Sequence, residues 1–189
     1  MDKLKVLKAI YESIQWDRLY ELLPDAERDE VDLLFRELRQ SLTPEPEEDL
    51  ADEIAGGEAV LHCDGASKGN PGPAGIGMVL ETPDGREVLA WGRPIGEATN
   101  NVAEYRALIA GLQQALELGV RRIAVQSDSQ LMVRQINGRY KVKNAGLQPL
   151  HAEAKALLKR FDEWSIQHVR REENAHADSL ADRHAKEGK

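Results

Sequence analysis

Four acidic side chains of this 189-residue chain stand where carboxylates can do chemistry. Asp64 follows the short apolar run 59–63 and precedes the glycine-bearing stretch Gly65-Ala66-Ser67-Lys68-Gly69-Asn70-Pro71-Gly72. Asp128 follows the apolar run 123–125, within Gln126-Ser127-Asp128-Ser129. Glu104 lies near the start of a stretch with helical spacing, four residues before Leu108, and Asp178 lies four residues before Asp182 in the last such stretch. Carboxylates brought together repel one another unless a cation neutralises them. Lys68 and Arg106 are the cations close to these segments. Oxygen ligands without sulfur or a histidine pair suit Mg2+ or Mn2+ better than zinc. Two such ions about 4 Å apart suit in-line displacement at phosphorus, one activating the attacking water and the other stabilising the departing oxygen. Taken singly, each acid has a plainer use. An Asp after a strand is a turn former or helix cap, and a Glu near a helix start favours the helix dipole. The acids become a site only if the fold gathers them.

The elements that would do so can be read from period and punctuation. Residues 59–63, 75–80 and 88–91 read as strands, the second and third joined by the turn Pro83-Asp84-Gly85, and short turns favour an antiparallel meander. Val102, Tyr105, Leu108, Ile109, Leu112 and Leu116 then fall on one helical stripe, which Gly119 ends. A strand at 123–125 and a short helix at 131–136 follow. Leu147, Leu150, Ala154, Leu157, Leu158 and Phe161 stripe another helix, a strand at 164–169 comes next, and a terminal helix runs over 174–186. The order βββαβααβα predicts a mixed α/β domain whose crossover helices make part of the sheet parallel. If the first and fourth strands are parallel neighbours, Asp64 and Asp128 meet at their carboxyl edge, where α/β sites collect. Two helix starts at that edge would add Glu104 and Asp178.

Charge divides the chain. Residues 1–59 carry a net −10 and residues 60–189 a net +2, together the −8 of the whole. Leu4, Leu7, Ile10, Tyr11 and Ile14, then Val31, Leu34, Phe35, Leu38 and Leu42, mark an acidic helical region over 1–42. Forty-odd residues make a thin core, so this small all-α region is expected to dock on the main domain, on a protein partner or on a second copy, not on a phosphate backbone. Prolines, acids and a Gly56-Gly57 pair predict a linker over 43–58. The main domain is expected over 59–189. A hydrophobic fraction of 41% and a charged fraction of 31% exclude collagenous and wholly disordered classes. No apolar run reaches the roughly 18 residues of a membrane span, so no membrane partner is expected. The charged opening Met1-Asp2-Lys3-Leu4-Lys5 is not expected to be a signal peptide, and the single Cys63 predicts a reducing, cytoplasmic setting.

The wording of four segments carries a resemblance. Asp64-Gly65-Ala66-Ser67-Lys68-Gly69-Asn70-Pro71-Gly72-Pro73-Ala74-Gly75 resembles the first-strand signature of the type 1 ribonuclease H family. Thr99-Asn100-Asn101-Val102-Ala103-Glu104-Tyr105-Arg106-Ala107 is similar to its T-N-N-x-x-E-x-x-A segment. Ser127-Asp128-Ser129-Gln130-Leu131 and Asn174-Ala175-His176-Ala177-Asp178-Ser179-Leu180-Ala181 resemble its third and last motifs, in the same order. The resemblance spans roughly residues 59–187. It implies a ribonuclease H-like fold, a five-stranded mixed sheet with its first three strands antiparallel, flanked by helices. It implies an endonuclease that hydrolyses the RNA strand of RNA–DNA hybrids with two Mg2+ ions, for which Mn2+ can substitute, leaving 5′-phosphate and 3′-hydroxyl ends. Asp64, Glu104, Asp128 and Asp178 correspond to the family's catalytic, metal-binding acids. Asp178 is chosen over Asp182 because Asn174 lies four residues before it, and Asp182 is expected to be a solvated helix residue. Ser67, Asn70, Asn100 and Gln130 match positions at the minor groove of the hybrid. Thr99, Asn70 and Ser129 match its pocket for a DNA-strand phosphate, and Asn101 its DNA-strand contacts.

Two departures stand beside the match. The stretch before the last helix, Arg170-Arg171-Glu172-Glu173, lacks the histidine many members carry, with His176 a weak substitute. The segment Gly138-Arg139-Tyr140-Lys141-Val142-Lys143-Asn144 is short where some members have a long basic insertion, leaving Arg139, Lys141 and Lys143 as phosphate contacts. They leave open a weakly active or inactive nucleic-acid-binding adaptor on the same fold, and a broader activity that includes double-stranded RNA.

Overall fold

The computed structural model describes residue 54 and residues 57–187. The helical region expected over 1–42 and most of the expected linker lie outside the described residues. Five strands and four helices follow in the order β1 (Glu58–Ser67), β2 (Gly72–Glu81), β3 (Glu87–Ala98), α1 (Asn100–Glu117), β4 (Arg122–Ser127), α2 (Gln130–Ile136), α3 (Leu147–Leu158), β5 (Glu163–His168) and α4 (Ala175–Glu187). A 3-10 turn, Arg171–Asn174, leads into α4. The sheet order is β3-β2-β1-β4-β5. The pairs β1–β2 and β2–β3 are antiparallel, whereas β1–β4 and β4–β5 are parallel. This is the five-stranded mixed sheet that the resemblance implies, partly parallel as the element order predicts, and it makes the first and fourth strands neighbours.

Alternation along β1 and β2 sends neighbouring side chains to opposite faces. Leu61, Cys63, Ile76, Met78 and Leu80 join Leu108 and Leu112 of α1, Val125 of β4 and Leu158 of α3 in the main core. At about 25 cal/mol per Å² of apolar surface, such burial is what holds helices shorter than a stable isolated helix in place. The other face of β1–β3 is covered by α4, where Gly75 and Gly77 admit the α4 backbone: a Cβ at Gly77 would lie 2.3 Å from the carbonyl oxygen of Ala177.

The strands run further than their apolar stretches. β1 extends from 58 through Ser67, so Asp64 lies inside the strand and not at its end. Parallel pairing with β4 stops at His62↔Gln126, but antiparallel pairing with β2 continues to Ser67↔Ala74. Backbone hydrogen bonds need no apolar side chains, so the chain stays extended through Gly65-Ala66-Ser67 before it turns. The terminal helix expected over 174–186 begins instead at Ala175.

Candidate active site

Beyond His62↔Gln126 the two central strands part, and Asp64 and Asp128 each lie two residues past that last rung. Asn174 spans the opening. It is 1% exposed, and its Nδ2 donates to Cys63 O and to Asp128 Oδ1, both at 3.1 Å. The split is thus closed by a buried side-chain amide instead of a strand ladder, and one of the acids is part of the closure.

Glu104 comes from the opposite face. Gly65, next to Asp64, lies under α1 so closely that a Cβ there would meet Ala103 C at 2.1 Å and Glu104 N at 2.2 Å. Only glycine allows that approach. Thr99 caps α1, accepting from Val102 N at 3.4 Å. One turn on, Asn100 Nδ2 donates to Glu104 Oε1 at 3.0 Å, and Ser129 Oγ donates to Glu104 Oε2. Ser129 also caps α2, accepting from Met132 N.

The four acids are near enough to act on one another. Burial first, then the charges of Asp128, Asp178 and Glu104, push the Asp64 carboxyl up from its ordinary 3.8 to about 7. Burial also raises Glu104 to about 7; the hydrogen bonds from Ser129 and Asn100 pull it down, while Asp128 pushes it up. Burial raises the Cys63 thiol too, with Asp64, Glu104 and Asp128 adding to the effect. The site therefore carries more negative charge than its protein surroundings balance.

One cation answers it directly. Arg171 donates through Nη2 to Asp178 Oδ1, and its guanidinium also feels Asp128 and Asp64. Sequence reasoning passed over this arginine. The pair is seven residues apart, two turns in an unbroken helix, and meets here across the 3-10 turn that precedes α4. The two cations that stood out in the sequence go elsewhere. Lys68 Nζ lies 2.8 Å from Asp182 Oδ1, and Arg106 Nη1 donates to Ile95 O at 3.2 Å. Asp182 is thus an ion-pair partner, holding the β1–β2 loop to α4, and not simply a solvated residue. His176 Nδ1 lies 3.1 Å from Glu87 Oε2 at the start of β3.

Of the other expected residues, Asn100 and Ser129 bond Glu104 directly. Ser67 Oγ lies 2.7 Å from Ala98 O and 2.6 Å from Gly69 O, bracing the loop. Asn70 Oδ1 accepts from Asn100 N at 3.3 Å. Asn70, Asn100, Asn101 and Gln130 are exposed, while Ser67 and Thr99 are half-buried and Ser129 is buried.

Among the described residues, no three His, Cys, Asp or Glu side chains already converge as the ligands of one metal ion. The donor set nonetheless fits hard divalent cations, being all carboxylate oxygen. Asn174 Oδ1, buried with no hydrogen-bond partner among the described residues, is an acceptor that a hydrated cation would satisfy.

A family model described as reverse transcriptase-like matches residues 62–184. The ribonuclease H of a Sulfurovum species is 35% identical over 133 residues, covering 66% of this chain and 88% of the relative. The ribonuclease HI of Halobacterium salinarum is 47% identical over 126 residues, covering 67% of this chain and 63% of the relative. The chain belongs to the type 1 ribonuclease H family. Among solved members of the family, the RNase H1 of Halobacterium salinarum superposes with a TM-score of 0.67 at 44% identity, over 68% of this chain and 98% of that one. LC11-RNase H1, isolated from compost and solved in complex with an RNA/DNA hybrid, gives 0.65 at 38% identity, over 68% of this chain and 96% of that one. The bifunctional protein Rv2228c of Mycobacterium tuberculosis is 50% identical over 125 residues, and the match spans 34% of its length and 66% of this chain. Within this ribonuclease H domain, Asn174 and Arg171 complete the surroundings of the acids.

Proposed function

We propose that the chain is an endoribonuclease that hydrolyses the RNA strand of RNA–DNA hybrids, leaving 5′-phosphate and 3′-hydroxyl ends, with two Mg2+ ions per site for which Mn2+ can substitute. The observation that carries this reading is the gathering of acids at Asp64, whose buried carboxyl is raised first by burial and then by the charges of Asp128, Asp178 and Glu104. A protein keeps such an arrangement where a cation is to be bound. The hybrid in the LC11-RNase H1 complex supports the substrate class.

Asp64, Glu104, Asp128 and Asp178 would hold the ions. When bound, divalent ions of this kind lower the pKa of water and stabilise charge on a departing phosphate oxygen. The protein's share is orientation. Both Glu104 oxygens have donors, Asn100 on one and Ser129 on the other, so the carboxylate plane is set before any substrate arrives. Asn174 ties Asp128 to the β1 backbone. Arg171, two-thirds exposed, keeps a positive charge beside Asp178, where it can turn towards a phosphate of the strand being cut. Ser67, Asn70, Asn100 and Gln130 would line the minor groove, and Glu104 would accept from a ribose 2′-hydroxyl, the group that distinguishes RNA from DNA. Thr99, Asn70 and Ser129 would receive a DNA-strand phosphate, with Asn101 at the DNA strand. Residues 1–42 would contact a protein or another copy of the chain, and the setting would be the reducing cytoplasm.

Labelled RNA–DNA hybrid incubated with Mg2+ or Mn2+ tests the reading. Cleavage by the wild type, reduced at least about a thousandfold in Asp128→Asn, is expected of a carboxylate that holds the ions. Undiminished cleavage by Asp128→Asn would overturn the assignment. Absence of cleavage by the wild type would favour the adaptor, and duplex RNA run in parallel decides the breadth of substrate.

A further inference from the structure

Six polar side chains are buried among the described residues. Asp64, Ser127, Ser129 and Asn174 belong to the acid site or adjoin it, and Thr82 closes the β2–β3 turn by bonding Asp84 and Arg86. Gln135 alone has no such role. It lies in α2, is 6% exposed, and its Oε1 accepts from the Tyr105 hydroxyl at 2.9 Å. Tyr105, 1% exposed, is the residue after Glu104.

A buried hydrogen bond of this kind adds little net stability, since two apolar groups of matching shape would do about as well. What it adds is direction. Consecutive residues of α1 grip the two ends of α2: Glu104 is held by Ser129 at its cap, and Tyr105 holds Gln135 near its last turn. Ser129 and Gln135 are about 9 Å apart along the axis at 1.5 Å per residue. Two bonds so separated prevent α2 from sliding or rotating against α1. The far end is held again from α3, where His151 Nε2 lies 3.3 Å from Gln135 O, and the Tyr105 and His151 rings meet edge to face at 6.3 Å. Lys155 Nζ donates to Ile136 O at 3.2 Å.

We infer that Tyr105 and Gln135 are positioning residues, whose buried hydrogen bond holds α2, and with it Ser129, in the register that orients the Glu104 carboxylate. The inference rests on the proposed hydrolase for its catalytic consequence, but not for its effect on the binding of Mg2+.

The test compares Tyr105→Phe with the double variant Tyr105→Phe/Gln135→Met in three measurements: thermal unfolding, Mg2+ affinity by calorimetry, and kcat and KM on RNA–DNA hybrid. Tyr105→Phe leaves Gln135 Oε1 without a donor, so its Tm falls. The double variant removes both polar groups, so its Tm recovers. If the bond positions Glu104, kcat falls about tenfold and the Mg2+ dissociation constant rises several-fold in both variants, with KM for hybrid within about twofold of wild type, because misplacement at this scale acts on the reacting geometry. Recovery of kcat and Mg2+ affinity together with Tm in the double variant would show a purely structural bond and overturn the inference. A wild type that binds Mg2+ but leaves hybrid uncut would sink the proposed function alone, and the calorimetric comparison would still decide the positioning role.

Discussion

At the scale of single residues, the site stores its chemistry as electrostatic tension. Burial, with the neighbouring carboxylates adding to it, pushes Asp64 and Glu104 up to about 7 from ordinary values of 3.8 and 4.5. A carboxyl whose pKa is raised by folding binds its proton more tightly in the folded state than in the unfolded one. Its contribution to stability is therefore intact below about pH 4 and is lost as pH rises towards 7. In chelator, the Tm is expected to fall between pH 5 and pH 8 by about 5 °C beyond the drift of Asp64→Asn measured in the same way. Mg2+ should restore more of the Tm at pH 8 than at pH 5, because protons and Mg2+ compete for the same oxygens. A Tm that rises over this interval, with Mg2+ acting equally at both ends, would contradict the repulsion argued for these acids.

At the scale of elements, the site is made by two close approaches and one split. The split between β1 and β4 opens where their pairing ends, and Asn174 bridges it. The first approach is α4 over Gly75 and Gly77, and the second is α1 over Gly65. In Gly65→Ala the new methyl would meet backbone atoms of Ala103 and Glu104, which cannot turn aside as a side-chain tip can. Overpacking of this kind costs about 1–3 kcal/mol or more. Because the atoms that must move belong to Glu104 and the residue before it, hybrid cleavage should fall at least about a hundredfold even in protein that remains folded by circular dichroism. Gly85→Ala, in a turn where a Cβ meets nothing within 4 Å but φ is +88°, should lower the Tm through backbone strain and leave cleavage by the folded protein near wild type. Equal activity of the two variants would show that α1 can lift without disturbing the acids.

At the scale of the whole molecule, the chain is electrostatically divided, with a net −10 over residues 1–59 and +2 over 60–189. Affinity for a polyanion depends on the phosphates a protein neutralises and falls with salt. We propose that the division into an acidic region over 1–42, a linker over 43–58 and a catalytic domain over 59–189 is also a division of labour, with hybrid contacts confined to the last. A chain of residues 43–189 should then bind hybrid at low salt at least as tightly as the full chain, measured by anisotropy in Ca2+. Weaker binding by the shorter chain would assign nucleic-acid contacts to residues 1–42. Among the described residues no helix is long and apolar enough to cross a membrane.

Much of this was legible in the sequence, because periodicity and turn chemistry are local. The order of elements and the antiparallel meander follow from apolar spacing and the short turn at Pro83-Asp84-Gly85, whereas the pairing of the first and fourth strands stood as a condition and the choice of Asp64, Glu104 and Asp128 rested on the wording of the motifs. What stayed hidden depends on contacts between residues remote in sequence or on backbone proximity. The extension of β1 past Asp64 depends on its pairing with β2, and the role of Gly65 depends on where α1 crosses. Arg171 reaches Asp178 because an unforeseen 3-10 turn leads into the last helix, and Lys68 is drawn to Asp182 across 114 positions of chain. The bond between Tyr105 and Gln135 joins positions that read as ordinary members of two amphipathic helices. Local sequence determined which acids arrive at the edge of the sheet; tertiary packing decided how they are held there, because orientation is set by neighbours that the chain brings close only after it has folded.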